Sequence, residues 1–262
     1  MRYASFDYHP AVAAGSADQM QAWWGTHWTG QERLDRDLTK EPLWPTIADV
    51  LREPGLVLEA GCGYGQWVYF LETRGHTVVG LDYAHTGLAG ARRHHSALRL
   101  MQADFRRLPF PSGTFDYIVS LGAVEHDGRG PEAALREFHR TLKPSGRLMC
   151  SVPCLNVERV MQLPWFVVRD WLKRRPLLRR LKGKRDPFEF YEFLFTPATY
   201  TRILEDAGFV VESMRTYGVS TRSKALRGVA AAMNNVVPFY NPHMMMAICR
   251  RRDGNQSAAA RS

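Results

Sequence analysis

Residues 57–67 read VLEAGCGYGQW. Val57, Leu58, Glu59 and Ala60 have the character of a buried strand, Gly61, Gly63 and Gly65 follow at alternate positions, and Trp67, Phe70 and Leu71 open a helical pattern. The stretch therefore predicts a strand, a tight turn and a helix start. Alternating glycines let the backbone turn sharply and let a ligand come close where a Cβ would collide. The first N–H groups of the helix lack intrahelical partners and offer donors to that ligand. A nucleotide or nucleoside fits such a cradle.

Outward from this loop, strand and helix signals alternate with short connections. Strands are expected at 56–60, 76–82, 98–102, 115–121 and 146–153, and helices at 66–74, 86–95 and 131–142. The turn-forming runs PFPSG (109–113) and KPSG (143–146) mark two boundaries. This βαβ order argues for a parallel sheet covered on both faces, with its ligand beyond the carboxyl ends of the strands. After Pro153 the alternation stops and resumes with a helix at 197–207, closed by Gly208. Strands at 209–216 and 243–249 finish the pattern, with a loop or helix through 220–235 between them and a polar tail after them. Ahead of the core, helical spacing over 16–28 carries Trp23, Trp24 and Trp28, a polar stretch covers 29–40, and a short helix runs from Leu43 or Pro45 to Leu51. The tryptophans pack on the core or form a lid over the ligand.

At 262 residues the chain suits one large domain. No apolar run approaches the roughly 18 residues needed to span a bilayer, and the N-terminus lacks a secretory pattern, so a cytoplasmic address is expected. Cys62, Cys150, Cys154 and Cys249 form no CxxC pair and read as buried thiols; no set of neighbouring ligands completes a metal site, and none is expected. The net charge of +9 is local. Eight basic residues, Lys173, Arg174, Arg175, Arg179, Arg180, Lys182, Lys184 and Arg185, account for all but about +1 of it, which disfavours a nucleic-acid-binding fold.

Loop spacing separates candidate ligands. The dinucleotide fingerprint GxGxxG needs glycine at 66, where this chain has Gln66, so an NAD-dependent oxidoreductase is disfavoured. Glu59, just ahead of the loop, would repel a pyrophosphate but attract an ammonium group. Asp82, ending the second strand, can accept hydrogen bonds from ribose hydroxyls. Asp104 and Phe105 lie past the third strand. Three acids at three strand ends suit a cationic, phosphate-free ligand.

With these features in place, the chain resembles class I S-adenosylmethionine (SAM)-dependent methyltransferases of the small-molecule kind, over roughly 56–153. VLEAGCGYG matches the family's glycine motif, Asp82 its ribose acid and Asp104 its adenine-side acid; FDYIVSLGAVEHD and AALREFHRTLKPSGRL match its later segments, with Ser145 in place of a turn glycine. The resemblance implies a Rossmann-like doubly wound, seven-stranded, mostly parallel α/β sheet with an antiparallel last strand, plus N-terminal helices and a helical cap insertion. It divides the chain into an N-terminal addition or lid (1–54), a SAM-binding core (55–153), a basic aromatic cap (154–195), the C-terminal part of the sheet (196–250) and a tail (251–262). It implies SAM as cofactor and S-adenosylhomocysteine as product. Glu59, Gly61, Cys62, Gly63 and Gly65 would hold the methionine end, Asp82 and Tyr83 the ribose side, Asp104 and Phe105 the adenine, and Leu121 and Gly122 the methionine part.

Glu125 and His126 sit where an acceptor should enter; His126 is a candidate general base, behind the reading that gives it a structural or cofactor-shaping role. His94, His95 and His139 read as surface groups. The segment 165–185 combines Trp165, Phe166 and Trp171 with the basic cluster; an insertion of this kind occurs in quinone-type O-methyltransferases. It reads as a cap that closes the pocket, as a contact with an anionic membrane at its inner face, or as a site for a polyanion. The expected activity is methyl transfer to an oxygen, or in second place a nitrogen or carbon, of a small or lipid-like acceptor. The alternative is an inactive SAM-fold protein acting through its basic segment on membrane or RNA. Acceptor identity and oligomeric state stay open.

Overall fold

Val57 and Leu58 are adjacent and both fully buried, yet they belong to different cores. Successive strand side chains point to opposite faces, so a strand buried at consecutive positions must be covered on both sides. The computed structural model describes Trp24 and residues 34–161, 192–218 and 242–252. Strands β1 (Leu56–Ala60), β2 (Thr77–Asp82), β3 (Arg99–Gln102), β4 (Phe115–Leu121), β5 (Leu142–Pro153), β6 (Phe209–Tyr217) and β7 (Met244–Arg251) form one sheet in the order β3-β2-β1-β4-β5-β7-β6. Neighbours from β3 to β5 pair in parallel, and β7 runs antiparallel to both β5 and β6.

The helices are α1 (Trp44–Val50), α2 (Gln66–Glu72), α3 (His85–His94), α4 (Glu132–Thr141), α5 (Val157–Met161) and α6 (Pro197–Asp206). One core joins Val57, Val78, Val119 and Met246 to Ile47 of α1, Val68 and Leu71 of α2 and Leu88 of α3. The opposite core joins Leu58, Ile118, Leu148 and Ala247 to Leu135 and Phe138 of α4 and to Tyr200, Ile203 and Leu204 of α6. Each large apolar side chain so buried contributes roughly 1.5–3 kcal/mol. Tyr200 buries its ring completely because its hydroxyl donates to the Cys150 carbonyl at 3.2 Å. The four thiols are free and buried, and burial pushes Cys150 up to about 12 and Cys154 to about 11, which keeps them protonated and inert.

Several expectations shift. The KPSG turn lies inside β5: Leu142 pairs with Phe115 and Arg147 with Tyr117, so the turn bulges between two paired stretches. The polar stretch 29–40 contains Leu34 and Leu38, both buried in the core with α1. A 3₁₀ turn at Val124–His126 falls where no helix was expected, and α5 lies within 154–195, the segment expected as a helical cap. His94 is exposed, but His95 and His139 are half-buried; the His139 ring meets Phe209 edge-on at 5.3 Å, and burial lowers its pKa. Of the N-terminal tryptophans only Trp24, in helical conformation, is described; the basic segment 165–185 and the stretch 220–235 lie outside the described residues. No helix among the described residues is long and apolar enough to cross a membrane.

Candidate functional site

Strand order reverses at β1, with β2 on one side and β4 on the other, and the crevice outside the carboxyl ends of such strands is where open α/β sheets bind ligands. The loop after β1 is the floor of that crevice. Gly61, Gly63 and Gly65 all have positive φ (85°, 54° and 73°), a conformation that side-chain-bearing residues rarely adopt. Gly61 and Cys62 both donate to the Leu81 carbonyl, at 2.7 and 3.0 Å, which fastens the loop to β2. On its other side Gly61 lies against the turn after β4: a Cβ there would stand 2.4 Å from that of Ala123. Gly65 is the N-cap of α2, so the loop leads directly into the helix.

Two acids surround this loop. Glu59 is only 4% exposed; its carboxylate accepts the Val68 N–H of α2, while Oε2 is buried without a hydrogen-bond partner. Burial first, and the nearby charge of Asp82 as well, hold its carboxyl well above the usual range. A ligand ammonium beside Oε2 would reverse that shift. Asp82, 8% exposed, takes the Gly63 N–H on Oδ2 and the Ala84 N–H on Oδ1, each at 2.7 Å. Burial raises its pKa despite these hydrogen bonds. Asp82 thus shapes the loop as well as lining it. Cys62 is buried within the loop, and Tyr83 is half-buried beside Asp82.

Asp104 differs from these two. Arg106 reaches both of its oxygens, through Nε at 2.9 Å and a terminal nitrogen at 2.6 Å, and lies 3.5 Å from the buried Asp127. Although burial opposes it, the Arg106 guanidinium keeps the Asp104 carboxyl below its ordinary value. Its charge is therefore matched within the protein, and of the three acids only Glu59 and Asp82 carry no counter-ion among the described residues. Phe105 packs partly buried against the core on the α4 side.

Leu121 and Gly122 end β4, and Gly122 turns with φ 69°. The 3₁₀ turn that follows buries Glu125 and half-buries His126. Glu125 Oε1 lies 3.8 Å from His126 Nε2, and its Oε2 has no hydrogen-bond partner. Trp24 meets the His126 ring edge-on at 4.7 Å. Sequence reasoning placed Glu125 and His126 here but missed Glu192, whose carboxylate joins them. No spacing signal connects residues so distant along the chain.

Burial holds the Glu125 carboxyl well above its usual range, helped by the Glu192 charge. A carboxyl with a raised folded-state pKa favours the folded state most at low pH, and that contribution is lost as pH rises from its unfolded value of about 4.3 through the folded one. Glu125→Gln, neutral at every pH, escapes the loss. In chelator-treated protein the melting temperature of Glu125→Gln minus that of the wild type should become more positive between pH 5 and pH 8; a flat or falling difference would contradict the shift.

Residues 58–150 match a family model described as "Methyltransferase domain". A probable S-adenosylmethionine-dependent methyltransferase of Mycobacterium tuberculosis is 35% identical over 97 residues, 37% of this chain and 35% of that one. Demethylmenaquinone methyltransferase of Thermus thermophilus is 38% identical over 104 residues, 37% of this chain and 47% of that one. The match thus spans about a third to a half of these curated relatives. Among solved structures, Burkholderia thailandensis 1,6-didemethyltoxoflavin-N1-methyltransferase, with bound 1,6-didemethyltoxoflavin and S-adenosylhomocysteine, superposes with a TM-score of 0.58 at 18% identity, over 96% of this chain and 95% of that one. At that identity the likeness speaks for the fold.

Proposed function

We propose, for a chain whose residues 58–150 form a class I SAM-dependent methyltransferase domain, that it transfers a methyl group from SAM to an oxygen of a small or lipid-like acceptor. The observation that carries the reading is Glu59 Oε2, buried without a partner at the lip of a three-glycine loop. In this reading Glu59 receives the ammonium group of the methionine moiety and the backbone of 61–65, with Cys62, cradles that end. Asp82, with Tyr83 beside it, accepts the ribose hydroxyls. Asp104 and Phe105 bound the adenine side, where Arg106 holds the Asp104 carboxylate in place. Leu121 and Gly122 flank the methionine part.

SAM supplies an electrophilic methyl group on a sulfonium. The protein's share is then chiefly positioning and exclusion of water, for which effective molarities of roughly 10⁵ M or more have precedent. His126, close to Gly122 along the chain and turned toward Glu125, is the proposed general base for a hydroxyl acceptor. Trp24 against His126 supports reading the start of the N-terminal addition (1–54) as a lid, while Leu34, Leu38, Ile47 and Leu51 of the same addition pack into the core.

A lipid-like acceptor is favoured by the apolar and basic sequence of 165–185, proposed as a contact with an anionic membrane surface. The test is transfer from radiolabelled SAM to quinols and hydroxylated lipids presented in anionic or neutral vesicles, with a soluble metabolite extract in parallel. Extractable labelled product is expected, formed faster from anionic vesicles at low salt. Binding of S-adenosylhomocysteine without turnover of any acceptor would replace this reading by a binding protein, and equal rates from both vesicle types would remove the membrane contact.

A further inference from the structure

Glu125 and Glu192 come from segments remote in sequence and carry their carboxylates to the same place. The backbone arranges this. The Phe193 N–H donates to the Glu125 carbonyl at 3.0 Å, and two residues on, Phe195 pairs with the chain beyond β5, donating to Pro153 at 3.1 Å and accepting from Leu155 at 2.7 Å. Residues 192–195 are thereby laced to the ends of β4 and β5. One ligand atom from each of Glu125, His126 and Glu192 lies within 4.8 Å of the other two.

Two carboxylates brought together repel each other, and a cation or a shared proton relieves that repulsion. Glu125 is 1% exposed, and its Oε2 is buried without a hydrogen-bond partner. It is an acceptor atom with a lone pair to give, next to a second carboxylate and an imidazole. One nitrogen and two carboxylates suit divalent cations of the Mn²⁺, Mg²⁺ and Zn²⁺ range. Ligand bonds of about 2.0–2.2 Å place neighbouring donors roughly 3–3.5 Å apart, so the observed 3.8 Å between Glu125 Oε1 and His126 Nε2 closes by a small side-chain rotation.

We propose that Glu125, His126 and Glu192 form a divalent-cation site at the carboxyl end of β4. Three protein ligands leave positions for water or for an acceptor oxygen. The site lies beside Gly122, where a Cβ would come within 3.5 Å of Glu125 Oε1. A cation there would orient an acceptor hydroxyl and lower its pKa, taking over the activation given above to His126, whose ring nitrogen is then a ligand and no longer a base. That role rests on the methyltransferase reading, whereas cation binding itself does not.

The test uses the full chain without an affinity tag, stripped with chelator and free of SAM, titrated with MnCl₂ by calorimetry and by loss of the free Mn²⁺ resonance signal. One saturable site per chain is expected, weakened at least tenfold in Glu192→Gln and in His126→Gln. Thermal melts identify folded variants, and using two keeps the test decisive if one fails to fold. Absence of saturable binding up to millimolar Mn²⁺ would overturn the site. So would undiminished affinity in a variant that melts cooperatively, since the ion would then sit elsewhere. S-adenosylhomocysteine titrated into the same metal-free protein separates the two readings: its binding without Mn²⁺ binding overturns only the cation site, and the converse overturns only the methyl-donor reading.

Discussion

Asp82→Ala is expected to weaken S-adenosylhomocysteine binding by roughly 10²-fold or more. A carboxylate that accepts both ribose hydroxyls contributes hydrogen bonds worth about 1.5–3 kcal/mol each when one partner is charged, and about 2.8 kcal/mol already corresponds to 10²-fold in affinity. The structure adds a second source of loss. Asp82 also fastens the Gly63 and Ala84 N–H groups at 2.7 Å, so the alanine variant loosens the loop that presents those donors. Asp82→Asn separates the two effects in part, because it keeps the volume and one acceptor oxygen and should lose less affinity than alanine. Calorimetric titration reads both variants, and undiminished affinity in Asp82→Ala would remove Asp82 from the cofactor site.

Gly61→Ala should be the most damaging methyl addition to the loop. At φ 85° an L-residue is strained by about 1–2 kcal/mol, and the new Cβ would stand 2.4 Å from the Ala123 Cβ. Moving one of two tightly packed turns costs a further 1–3 kcal/mol or so. Together these predict a melting temperature lower by about 5–15 °C for a domain of this size. Gly61→Ala combined with Ala123→Gly should recover only the collision and leave the backbone strain. If the double variant melts no higher than the single one, contact with Ala123 is not the cause.

Most of the fold was legible because local chemistry and tertiary packing agree. β1 and β4 occupy the expected residues, and the other strands and main helices begin and end close to expectation. β1, β2 and β4 are short, largely apolar runs that each follow a glycine turn, at Gly55, Gly75 and Gly113, and α4 and α6 each bury one apolar face. The clearest departures arise where packing overrides composition. Leu34 and Leu38 stand in a polar stretch, but α1 offers them a surface to cover. The KPSG turn is absorbed by β5 because residues on both sides of it pair with β4.

The site divides in the same way. Glu59, the three glycines and Asp82 were legible because one continuous strand-loop-helix-strand unit places them, with spacing dictated by the backbone. Asp104 was legible as a strand-end acid, but that Arg106 engages it in a two-point ion pair depends on the conformation of a long side chain, about which spacing is silent.

The sequence by itself determined the doubly wound sheet and the glycine loop proposed to take the methyl donor, since hydrophobic periodicity and glycine placement act over a few residues. Only the tertiary structure decided how Glu125, His126, Glu192 and Trp24 meet. These groups converge from three separate segments through main-chain pairing and ring packing, and contacts between distant segments leave no periodic mark on the chain.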